Sequence, residues 1–106
     1  MRPIEQKKLL TLIASEELVR TIVDTLRAHG VGGYTIVPAT GAGTTGIRSG
    51  ALTDSTMLIY VILSEARLMR VLEDIDAMML RGHRVKALFQ DISILPRKGS
   101  ATAAPE

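Results

Sequence analysis

Apolar residues along this chain come in two rhythms, short unbroken runs and stripes at helical spacing, and the two alternate. Lys8 to Ala14, a run of Leu, Thr and Ile closed by Ser15, reads as a buried strand. The apolar positions then shift to Leu18, Val19, Ile22, Val23 and Leu26, with Arg20, Asp24 and Arg27 opposite, which predicts an amphipathic helix. Ser15 is expected to cap it, Glu16 and Glu17 suit the positive end of its dipole, and Gly30 ends it after His29. Tyr34 to Val37 predicts a second strand, which Pro38 places at a sheet edge. Met57 to Leu63 is the most apolar run and is rich in β-branched residues, as a central strand would be. Ser64 then caps a second helix whose buried stripe is Leu68, Val71, Leu72, Ile75, Met78 and Met79. Gly82 stops this helix, and Val85 to Leu95 forms the last strand before Pro96.

The predicted order is β-α-β-β-α-β, the ferredoxin-like α+β fold, with both helices on one face of an antiparallel sheet. Leu9, Leu10, Leu12 and Ile13, and likewise Met57 to Leu63, are apolar at odd and even positions alike. Those strands offer apolar side chains to both sheet faces, and two helices cover only one. A closed homo-oligomer packing sheet against sheet is the simplest cover for the other.

Between the second and third strands lies Gly41 to Ser55, GAGTTGIRSGALTDS, far longer than the usual connection of about 4 to 6 residues and therefore a candidate binding loop. Its start matches GxGxxG, but Gly50 follows Gly46 by four residues and argues against the helix that a dinucleotide site requires. The glycines still let backbone N–H groups approach an anion.

At 106 residues the chain is read as one domain over 1–97, with 98–106 as a tail lacking apolar anchors and expected to be disordered. Apolar residues make up 46%, enough for a core, yet one Phe and two Tyr leave no stacking platform for single-stranded nucleic acid. A net charge of +2 with interspersed signs shows no basic stripe for nucleic acid or membrane. The absence of cysteine removes disulfides, thiolate metal sites and thiol nucleophiles. The Leu9 to Ala14 run is too short to span a bilayer, and a cytoplasmic protein is expected.

Catalytic candidates are few. His29 and His83 lack metal-ligand spacing, His29 is expected to be a solvated helix-end residue, and Glu73 and Asp76 lie on a solvated helix face. The methionines are expected mostly in core stripes. The better constellation is basic and glycine-rich: Gly41, Gly43 and Arg48 in the loop, with Arg81, Gly82, His83, Arg84 and Lys86 before the last strand, all suited to phosphate. The two groups converge, on this reading, only if the loop folds back.

The segment KKLLTLIASEELVRTIVDTLRAHGVGGYTIV, the GAG-led loop and the basic connection before the last strand resemble the PII-like signalling family over Lys7 to Leu95. The resemblance implies a homotrimer of ferredoxin-like subunits that binds an adenine nucleotide between subunits. Its long T-loop would dock on a transporter or enzyme, with no catalysis, no resident metal or catalytic cofactor, and no membrane insertion. It places Gly41, Ala42 and Gly43 at the start of the T-loop and Thr35 beside the adenine. Gly82, His83, Arg84 and Lys86 fall in the phosphate-binding B-loop, and Arg97 and Lys98 where a neighbouring subunit's C-terminal segment reaches the nucleotide. Thr44 and Thr45 stand where the nitrogen-sensing members carry a glutamine, and the loop has no tyrosine. These departures look more like the branch associated with carboxysomes and bicarbonate transport, which prefers ADP or AMP. Bicarbonate would be held by Arg48 and Ser49. The alternatives are classical nitrogen-regulatory signalling, an amino-acid or metal binding module on the same fold, and a small enzyme using the loop as a lid.

Overall fold

A computed structural model describes residues 1–40 and 56–97. The described elements are β1 (Glu5–Ser15), a single 3-10 turn (Glu16–Leu18), α1 (Val19–Ala28), β2 (Thr35–Ala39), β3 (Thr56–Leu63), α2 (Glu65–Leu80) and β4 (Val85–Ile94). The sheet order is β2-β3-β1-β4 with every neighbouring pair antiparallel, which is the ferredoxin-like arrangement. Pro38 lies inside β2, and β2 is an edge strand, where a missing N–H costs no ladder bond on the open side.

Register decides the two faces. Leu10 and Leu12 pair with Val61 and Ile59, and these residues, with Ala14 and Leu63, bury themselves against Ile22 and Leu26 of α1 and Leu68, Val71, Ile75 and Met78 of α2. Each fully buried Leu or Ile contributes on the order of 2 kcal/mol, so this layer is what holds the helices to the sheet. On the opposite face Leu9, Ile13, Leu58 and Ile92 are half-buried, while Ile62 and Leu88 are 42% and 49% exposed. The expected uncovered apolar face therefore exists.

Both helices stop by the same device. Gly30 and Gly82 have φ of +80° and +98°, a region that penalises a Cβ. At α1, Gly30 N–H donates to Arg27 O and Val31 N–H to Leu26 O, both at 2.9 Å, and Leu26 and Val31 close the turn inside the core. At α2, Gly82 N–H donates to Met79 O at 2.9 Å and His83 N–H to Met78 O at 3.1 Å.

Several sequence expectations are corrected. Ser15 has extended backbone but its side chain caps nothing, because the chain enters α1 through a 3-10 turn; Ser64 Oγ does cap α2, accepting from Arg67 N–H at 3.2 Å. Met79, expected in the buried stripe, is exposed, since α2 turns that flank away from the sheet, and of the methionines only Met78 is buried. His29 is not simply solvated: its Nε2 lies 2.7 Å from Asp74 Oδ2, a contact that ties the end of α1 to α2. The first strand begins three residues earlier than expected, because β4 pairs with Glu5, Gln6 and Lys7 beyond the reach of β3. The loop 41–55 and the tail 98–106, expected to be a binding loop and a disordered segment, lie outside the described residues.

Candidate functional site

Ala39, the last residue of β2, pairs with Thr56, the first of β3, and Thr56 also pairs with Ser15 at the end of β1. One residue earlier, Ala14 pairs with Val85 at the start of β4. Both attachment points of segment 41–55 and the connection from Gly82 to Lys86 therefore share one end of the sheet. Thr56 and Val85 stand two strand spacings apart, about 10 Å. The crossover topology brings the loop base and the basic connection to one end of the sheet; Gly41, Gly43 and Arg48, whose convergence with that connection is expected to need a fold-back, lie outside the described residues.

Within that connection the donors are not all free. The N–H groups of Gly82 and His83 are used in the cap of α2, so the backbone there is not the open anion cradle that a glycine before basic residues suggests. The chemistry available to an anion lies in side chains: His83, Arg84 and Lys86 are exposed. Lys86 pairs with Ile13 and so stands on the uncovered face of the sheet.

The remaining candidates are dispersed. Thr35 is also on the uncovered face, but at the start of β2, on the opposite edge of the sheet from Lys86 and about 16 Å away, three strand spacings across and two residues along. Arg97 follows β4 at the far end. From Val85 to Ile94 the strand advances nine residues, about 30 Å, so Arg97 and Lys86 of one chain cannot touch one small ligand. Gly41, Ala42, Gly43, Arg48, Ser49 and Lys98 lie outside the described residues.

Two other contacts have no signature in local sequence. Lys8 Nζ pairs with Asp91 across β1 and β4 on the helix-covered face; this hydrogen bond, more than the added charge of Asp91 and Glu65, raises the Lys8 pKa against the opposing effect of desolvation. Arg2 Nη1 donates to the carbonyls of both Pro96 and Arg97. Cross-strand partners more than eighty residues apart become visible only once register is known. Among the described residues no three His, Asp or Glu side chains gather as a metal site, and no helix is long and apolar enough to cross a membrane.

The family model for nitrogen regulatory protein P-II matches residues 7–93. This chain belongs to the PII family. Among solved structures, a PII-like signalling protein from Thermus thermophilus is similar at 28% identity and a TM-score of 0.74, covering 90% of this chain and 94% of that one. CPII, a nitrogen regulatory PII-like protein from Thiomonas intermedia bound to ADP, AMP and bicarbonate, is similar at 25% identity and a TM-score of 0.78, covering 89% and 92%. A DUF3240 family protein from Shewanella baltica, at 19% identity, TM-score 0.63 and coverage of 89% and 94%, shares the fold. No curated protein matches the chain. The PII family is regulatory by name, and the resemblance carried by the GAG-led loop and the basic connection is borne out at the level of family and fold.

Proposed function

We propose that this PII-family chain is a non-enzymatic sensor of adenine nucleotides, with ADP or AMP as ligand, linked to inorganic carbon metabolism. The observation that carries the reading is the shared sheet end, where Thr56, the strand residue that follows segment 41–55, stands about 10 Å from the start of β4, which Arg84 and Lys86 flank. A phosphate held by these side chains would lie near the base of the loop, and its occupancy would bias the loop by favouring one of its conformations. Similarity to CPII, which is bound to ADP and bicarbonate in its solved structure, supports the ligand class. Gly41, Ala42, Gly43 and the His83 side chain are assigned to the same nucleotide site, with Gly82 shaping the connection by ending α2 rather than touching the ligand; Arg48 and Ser49 are assigned to bicarbonate, and the loop is the surface that docks on a transporter or enzyme in the cytoplasm.

The working unit is a homotrimer. The uncovered apolar face supports self-association, and the separation of Thr35, Lys86 and Arg97 within one chain supports a ligand bound between copies. Calorimetric titration with AMP, ADP and ATP, with and without bicarbonate, tests the proposal. Saturable binding of ADP or AMP that weakens in Lys86→Ala is expected. If no adenylate binds, the sensor reading fails; binding unaffected by bicarbonate removes the carbon link alone.

A further inference from the structure

The β1–β4 ribbon continues beyond β3 to the pair Glu5 and Ile94, and the two chain ends leave it side by side. Each end carries a proline, Pro3 and Pro96. Pro96 has no N–H to extend the ladder, and Pro3 holds Arg2 in extended backbone. Arg2 then reaches across and its Nη1 donates to two successive carbonyls, those of Pro96 and Arg97. Pro96 is buried between the exposed Leu95 and Arg97, so the chain is anchored at one residue and presents the next.

We infer that Arg2 is a positioning residue, a clamp on the backbone after β4 that sets where Arg97 points. This rests on the nucleotide-sensor reading, in which Arg97 serves a site on another copy because it lies too far from Lys86 of its own chain. A guanidinium suits such a clamp because it is planar, always charged, and brings two N–H donors to one point, whereas a lysine carries a compact, mobile charge. Without the clamp, a residue following a proline and outside the ladder would sample many directions, and the Arg97 side chain would lose the orientation that makes its contact with phosphate cheap.

The test is a double-mutant cycle on Arg2→Ala and Arg97→Ala. It is read as affinity for ADP and AMP, with the thermal midpoint and the oligomer mass recorded for every variant. Arg2→Ala is expected to weaken binding about fivefold, a modest loss because the bonds are near the surface. In the Arg97→Ala background it is expected to add nothing, since the clamp acts through Arg97. Arg2→Lys keeps the charge without the fork and is expected to fall between wild type and Arg2→Ala; it decides the matter should Arg2→Ala fail to fold. Wild-type affinity in Arg2→Lys and Arg2→Ala, or additive losses in the double variant, would overturn the clamp while leaving the sensor reading intact. Failure of the wild-type chain to bind either nucleotide would overturn both.

Discussion

Replacing Gly82 by alanine separates two roles that a glycine before a basic connection can have, stopping a helix or letting backbone approach a phosphate. In the structure Gly82 has φ +98°, and its N–H bonds Met79 O at 2.9 Å. An L-residue in left-handed backbone costs about 1–2 kcal/mol, and alanine returns roughly 0.4–1 kcal/mol by stiffening the unfolded chain. The added Cβ meets no described heavy atom within 4 Å, so no steric cost is added. The net loss is about 1 kcal/mol, or roughly 5 °C in the thermal midpoint for a domain of this size. Urea denaturation should show a lower midpoint at unchanged slope, with protein concentration held fixed because an oligomer's stability depends on it. Adenylate affinity should stay within about threefold of wild type, whereas Lys86→Ala, which removes a charged donor, should lose about tenfold. Unchanged stability together with lost affinity in Gly82→Ala would refute the reasoning, because the glycine would then serve the ligand and not the helix end.

Ser64→Ala should destabilise the fold by about 1 kcal/mol in the same denaturation assay, and Ser15→Ala by clearly less, because only Ser64 accepts a capping bond. The Lys8–Asp91 pair raises the Lys8 pKa above its ordinary 10.5, so its contribution to stability is full below that value and is lost as pH rises through the higher folded value. Thermal midpoints of wild type and Asp91→Asn should therefore converge in strong alkali, and a constant gap would contradict this. Ile62→Glu places a charge on the uncovered sheet face at a residue already 42% exposed. It should leave the subunit folded by circular dichroism while light scattering shows the mass falling from that of the proposed trimer to that of one chain.

The fold was legible because each element carries its own periodicity. Runs such as Met57 to Leu63 and stripes such as Leu68, Val71, Ile75 and Met78 announce strand and helix from local sequence, and Gly30 and Gly82 mark helix ends because few other residues tolerate positive φ. The capping roles of Ser15 and Ser64 look alike in sequence, each a serine before an acid, yet only Ser64 caps, since an initial 3-10 turn changes where the first N–H groups point. His29 looked solvated because its partner Asp74 is brought to it only by the packing of α1 against α2.

The candidate site divides along the same line. Residue types, the glycine-rich loop and the basic connection are properties of the chain read in order, and they point to anion chemistry whatever the fold. Register and strand order alone decide that the loop base and Lys86 share a sheet end, that Thr35 stands on the opposite edge, and that Arg97 lies about 30 Å away beside Arg2. Local sequence thus determined the elements and the face left apolar, because propensity and periodicity act over a few residues. Tertiary structure decided which donors remain free and which residues can meet, because those depend on contacts between segments that the chain separates by tens of residues.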